Sequence, residues 1–244
     1  MHLSTMDCKP SPQIEELIKS LDDTEWQSSL YSLLQNQTFN QVEVDMFELM
    51  CEVLDQNIFA QVDWARNSCL FKELEVGVQM RLLQDSWSEM MILDHIYHRM
   101  HNNLPDETEL PNGQKFKLLN LALLGVPSMA EKFFQVSENL KQLCFDSADY
   151  VCLKLIIPLN AGLVRDFNNK QHLYERIQQA HQILLEYCQT CYPNVPVSTT
   201  FPVFFVMSML MTHVMLMHMT SIRVQSMTIF ATIMRGSLLQ VAVI

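Results

Sequence analysis

Three short patterns in this chain could do chemistry by residue type and spacing. His95-x-x-His98-x-x-His101 repeats at i, i+3, so its imidazoles fall near one helix face, an arrangement that can hold a metal ion. Cys188-x-x-Cys191 has the spacing of half a zinc module or of a redox pair. Leu30-Tyr31-Ser32-Leu33-Leu34 is a Leu-x-x-Leu-Leu segment, able to lie as a helix in a neighbour's apolar groove. Each pattern has a plainer reading, and in each case the plainer reading is favoured. The first histidine sits in a stretch that is apolar nearly all round. The cysteine pair has no second Cys-x-x-Cys to complete it. The leucine spacing is common in buried first helices. No metal is expected, and Leu30–Leu34 is assigned to core. No nucleophile–base pair or phosphate loop is evident, so the chain is not expected to be an enzyme.

The elements that position these residues follow from hydrophobic periodicity. The chain has 244 residues, 49% of them hydrophobic, with 5 glycines and 9 prolines, which favours one all-α domain with a large core. Pro10-Ser11-Pro12 marks residues 1–12 as a flexible lead-in. The spacing predicts helices over residues 13–35, 41–68, 78–100, 115–142, 146–160 and 169–189. In the second of these, Phe47, Met50, Cys51, Leu54, Ile58, Val62 and Ala65 form the main apolar stripe, and Met46, Leu49, Val53 and Trp64 form another. The 78–100 helix is apolar on all sides yet carries Arg81, Asp85, Glu89 and Asp94, which suits the middle of a globule. Residues 102–114, with Asn112-Gly113, read as a short β-hairpin or ordered loop. A buried central helix with layers on both sides is a three-layer antiparallel helical sandwich. The net charge of −11 argues against direct nucleic-acid binding. Seven scattered cysteines, with no secretory signal before them, predict a reduced, intracellular protein.

The run VDWARNSCLFKELEVGVQMRLLQDSWSEMMILDHIYHR, residues 62–99, resembles the signature of nuclear-receptor ligand-binding domains. DQNIFAQVDWAR at its start and NNLPDETELPNGQ, LLGVPSM and FDSADYVCLKLI after it narrow the match. With them the chain is similar to the fushi-tarazu-factor (steroidogenic factor) branch of orphan receptors, above all to its arthropod members. The resemblance covers residues 13–193. It implies a transcription-regulating module in the nucleus that recruits coactivator or corepressor helices bearing Leu-x-x-Leu-Leu, and it allows a homeodomain protein as partner. The matching groove positions are Val62, Arg66, Val76, Gln79, Met80, Leu83 and Gln84. The apolar members would receive the leucines. Arg66, as the positive half of a charge clamp, would cap free carbonyls at the peptide's C-terminus, the negative end of its dipole. The resemblance also implies a ligand pocket lined by Phe47, Met50, Cys51 and His95. Phospholipid is the ligand of vertebrate members. It is not expected here, because the helices that supply phosphate contacts fall in the unmatched tail, and no other cofactor is expected. The paired zinc fingers with which this family reads DNA are not in the chain, which reads as a fragment, an isoform or the product of an incompletely read gene.

Two departures qualify the expectation. The family's Asp-Asp-Gln before its fourth helix is Gly77-Val78-Gln79 here, and losing an Asp N-cap typically costs about 1 kcal/mol. The second departure is the tail. All 27 acidic residues lie at or before Glu186, so no Leu-Leu-x-Glu-Met-Leu-type activation helix is recognisable and the C-terminal helices are atypical or missing. Residues 194–244 are apolar and rich in methionine, and FPVFFVMSMLMTHVMLMHMT, residues 201–220, has no charged side chain. Three readings stay open: a transmembrane segment of the required ~20 residues, an alternative terminus, or translation in a shifted frame. The third is favoured. Met is encoded only by ATG, so each Met-Thr pair read from the third base gives GAC, restoring aspartate to a tail that lacks acid. A membrane is not an expected partner, since His213 and His218 suit lipid poorly. The expected function is an impaired coregulator-recruiting module. The alternative is a membrane-tethered or dominant-interfering interaction protein that uses the apolar tail.

Overall fold

The structure, a computed structural model, describes residues 10–19, 21, 23–36, 43–123, 130–142, 144–161 and 170–191. The tail from residue 194, with its three readings, lies outside the described residues. In order, the elements are α1 (Pro12–Lys19), α2 (Asp23–Asn36), α3 (Met46–Asn67), α4 (Val76–His101), β1 (Thr108–Glu109), β2 (Lys115–Phe116), α5 (Leu119–Leu123), α6 (Ala130–Gln142), α7 (Ser147–Ala161) and α8 (Lys170–Cys191). The all-α class with one short hairpin is as expected.

The helix expected over 13–35 is two helices. Ser11 caps the first, its Oγ accepting from the Ile14 amide at 3.4 Å, and Pro12 takes the N1 position that tolerates its missing N–H. The second begins at Asp23. At α3 the helix starts at Met46 rather than 41, because Asp45 is its N-cap. The Asp45 Oδ1 accepts the Phe47 and Glu48 amides at 2.8 and 3.2 Å.

The chain divides into two compact units, and the division falls inside α3 and α4. The first takes in the described residues of 1–21, 64–86 and 135–211. Here α7 packs against both α1 and α8. It is buried almost all round, from Ala148 through Ile156 to Leu159. The helix α8 is amphipathic instead, burying Leu173, Ile177, Ala180, Ile183, Leu184, Tyr187 and Cys188 at steps of three and four.

The second unit holds the described residues of 22–63, 87–134 and 212–244. One of its cores gathers Leu30, Leu34, Val44, Leu49, Val53, Leu104, Leu110, Phe116, Leu118 and Leu121, with Leu33 packed partly buried against it. The Leu-x-x-Leu-Leu segment of α2 is therefore core. The strands pair antiparallel, Thr108 opposite Phe116 and Glu109 opposite Lys115. Gly113, at φ +84°, makes the turn that a side chain would strain. The amide of Gln114 reaches back across the fold. Its Oε1 accepts the Val44 amide at 2.7 Å and its Nε2 donates to the Val44 carbonyl at 3.2 Å. In α4, every residue from Met90 to His98 is buried, as its all-round apolar sequence predicts.

Candidate functional site: the end of α3 and the start of α4

The deepest line along α3 is Leu49, Val53, Asn57, Gln61 and Ala65, one residue per turn. That differs from the expected main stripe, which is half-buried at Met50, Cys51, Leu54 and Val62. Two polar residues can belong to the buried line because Gln61 Nε2 donates to Asp94 Oδ2 of α4 at 3.3 Å. This inward face sets the helix's rotation and turns Arg66, in the last turn, out to solvent.

The helix ends where the Ser68 amide donates to the carbonyls of Trp64 and Ala65, at 3.0 and 3.1 Å. The connection to α4 is short and anchored by Leu70, Phe71 and Leu74, all buried. Glu73 on this connection pairs with Arg176 of α8 at 2.5 Å. The next helix begins at Val76, with the Glu75 carbonyl accepting the Val78 and Gln79 amides, both at 2.9 Å. Gly77 and Val78 thus lie inside α4 rather than capping it, and the weak cap expected there does not arise. Along α4, Val76, Met80, Leu83 and Gln84 share one face at i, i+4, i+7 and i+8. Exposure along the first three falls stepwise. Val76 is 60% exposed, Met80 is half-buried, and Leu83 is buried. Gln84 is half-buried.

Arg66, Val76, Met80, Leu83 and Gln84 therefore belong to one compact unit. Gln79 belongs to it too, but its side chain is buried and committed to the connection. Its Nε2 donates to the Leu74 carbonyl at 2.7 Å and to the Lys72 carbonyl at 3.4 Å. It braces the loop that presents Val76 rather than offering an edge to a partner. Val62 is half-buried on α3.

The four residues expected to line a pocket differ in burial. Phe47 is 59% exposed, because the first turn of α3 buries Leu49 instead. Met50 packs against the core around Leu49 and Val53. Cys51 is half-buried, and its thiol is pushed up by burial and by Asp55, Asp45, Glu48 and Glu52. His95 is the buried member. It meets the Phe133 ring edge-on at 5.6 Å. Burial, with Arg99 and His98 adding like charge, pulls it down to about 3, so its ring is neutral. Its neighbours in the histidine trio serve other ends. His98 stacks on Trp26 at 3.8 Å and pairs its Nδ1 with the Asn102 amide nitrogen at 2.8 Å, while His101 is exposed. Among the described residues, no three His, Cys, Asp or Glu are placed to hold a metal. Cys51, Cys69, Cys144, Cys152 and Cys188 are free thiols. Cys191 is disulfide-bonded, and not to Cys188, whose thiol is free.

Two buried polar groups of the first unit lie outside the expected site. One is the start of α7. Asp146 Oδ1 accepts the Ala148 and Asp149 amides at 2.9 and 3.0 Å, and Asp149 Oδ2 accepts the Asp146 amide at 3.3 Å. This reciprocal cap was legible as Asp-x-x-Asp before an apolar run. Tyr187 of α8 donates its hydroxyl to the remaining Asp146 oxygen. The other is Lys154 with Tyr150 and Trp64, for which the sequence carries no signal, since a lysine reads as surface.

The profile for the ligand-binding domain of nuclear hormone receptor matches residues 35–230, and the chain belongs to this family. The match runs past residue 193, the expected end of the domain. Within the family, the chain is similar to the nuclear hormone receptor FTZ-F1 of Drosophila melanogaster, 55% identical over 185 residues, 76% of this chain and 18% of that protein. It is likewise 55% identical to FTZ-F1 of Bombyx mori over 192 residues, 79% of this chain and 36% of that protein. The crystal structure of the ligand-binding domain of Fushi tarazu factor 1 of Drosophila melanogaster superposes with a TM-score of 0.78 at 49% identity, covering 88% of this chain and 87% of that one. The chain thus spans about a fifth to a third of the two full-length relatives. These relatives are receptors, not enzymes. No helix among the described residues is long and apolar enough to cross a membrane.

Proposed function

We propose that this chain is the coregulator-recruiting module of a nuclear transcription factor, and that the partner is a short amphipathic helix bearing Leu-x-x-Leu-Leu. The observation that carries the proposal is the exposed Arg66 ending α3 in the same unit as the exposed Val76 and half-buried Met80 opening α4. The peptide's leucines lie on Val76 and Met80, with Leu83 beneath as a floor. Arg66 donates to the last carbonyls of the peptide helix, which have no intrahelical donor and carry the negative end of its dipole. Gln79 keeps the connection folded so that Val76 stays in place. The activity needs no bound cofactor. With no acidic residue beyond Glu186 in the sequence, the clamp works through its cationic half, and binding is weak.

The test is hydrogen exchange of the whole chain with a synthetic Leu-x-x-Leu-Leu peptide, paired with titration of a fluorescent copy. Protection confined to residues 66–84, and roughly tenfold weaker binding in Arg66→Glu, are expected from losing one charge-assisted bond. Saturating peptide that leaves residues 66–84 unprotected overturns the reading.

A further inference from the structure

Two residues before Arg66, and so about 200° around the helix from it, Trp64 meets a buried cation. Lys154 of α7 is only 8% exposed. Its ammonium donates to the Tyr150 hydroxyl, one turn earlier, at 2.9 Å. It also stands 5.1 Å from the centre of the Trp64 ring and 5.2 Å from that of Tyr150. The Trp64 distance is within cation–π range, and the indole together with the Tyr150 hydroxyl offsets part of the cost of removing the charge from water. Packing alone does not call for a cation here, since methionine fills a similar volume without desolvating a charge.

The position of Trp64 gives the cation something to hold. The Trp64 carbonyl closes the last turn of α3 by accepting the Ser68 amide, so Arg66 sits within a turn whose first member is fixed from the inner side. We propose that Lys154 is a positioning residue for the coregulator surface. It grips the Trp64 indole, fixes the rotation of the last turn of α3 and so aims Arg66 at the peptide. The effect on binding rests on the coregulator reading above, whereas the grip on Trp64 does not. The site reaches from α7 to α3 within one unit, and Tyr150 sets the ammonium's position through its hydroxyl.

The experiment compares the full chain with Lys154→Met and Lys154→Arg, reading hydrogen exchange at Arg66–Ser68, peptide affinity and melting temperature. Lys154→Met should speed exchange at Arg66–Ser68 and weaken the peptide about three- to tenfold, the range set by a partly desolvated cation–π contact. Lys154→Arg, which keeps a cation able to stack on the indole, should restore both. A Lys154→Met protein that melts lower but keeps wild-type exchange at Arg66–Ser68 and wild-type affinity overturns the proposal, since Lys154 would then be structural filling. If the wild type binds no peptide, the coregulator reading fails, and the grip is judged on exchange alone: faster exchange in Lys154→Met upholds it and unchanged exchange removes it. Should Lys154→Met fail to fold, Tyr150→Phe, which deletes only the hydroxyl, takes its place with the same two outcomes.

Discussion

Replacing Asp149 by asparagine should make the protein more stable at pH 8 and give less than half that gain at pH 5. Burial, and then the neighbouring Asp146 carboxylate, push the Asp149 carboxyl up to about 7 from its ordinary 3.8. The folded state therefore holds a proton that the unfolded chain has released between those two values. Stability contributed at this site falls as pH rises from about 4 to about 7, and above 7 the full penalty is present. At about 1.4 kcal/mol per pKa unit the upper bound is about 4 kcal/mol. Asp149 also accepts the Asp146 amide at the helix N-terminus, where the dipole favours an anion, so about 1–3 kcal/mol is the working figure. An asparagine Oδ1 can accept that amide without ever ionising. The assay is urea unfolding of wild type and Asp149→Asn at pH 5, 6.5 and 8, read as the difference between the two proteins. Differencing matters because other groups titrate. Glu89, raised to about 7 by burial, adds a slope of the same sign, and His95, lowered to about 3, adds the opposite one. A difference that stays constant across the three pH values refutes the reasoning.

Two further substitutions test the local arguments. Asp45→Ala removes the acceptor for the Phe47 and Glu48 amides and should cost about 1 kcal/mol in urea unfolding, with faster exchange confined to the first turn of α3. Gln114→Ala leaves both polar groups of Val44 without their side-chain partner and should cost about 1–3 kcal/mol, with the Val44 amide losing its protection.

Helix existence was legible wherever apolar residues ran at helical spacing, and least so where burial and polarity parted company. In α4 the apolar residues Met90–Leu93, Ile96 and Tyr97 point to all sides of the helix and so to its burial. In α3 the apolar letters led to Phe47, Met50 and Cys51, while the chain buries the line through Asn57 and Gln61, because Asp94 supplies a partner that no one-dimensional pattern records. Arg66, Val76 and Met80 could be singled out only through the family signature, since an exposed arginine and a half-buried methionine are ordinary surface by themselves. Gln79 was legible as a groove residue by motif but not as a brace, because its partners are backbone carbonyls of the preceding loop. Lys154 was invisible for the opposite reason: two aromatic neighbours from separate helices turn a residue type that favours water into part of the interior.

The pair of hydrogen bonds between Gln114 and Val44 joins positions 70 residues apart. Until α2, α3 and α4 have brought these ends near each other, the clasp cannot close, and the entropy of so long a loop opposes it. The hairpin is too short to persist unaided. Its turn and the entry to α3 should therefore become ordered together and late in folding. A lesion in the turn, such as a bulky replacement of Gly113, would then be felt at the beginning of α3 before any other part of that helix.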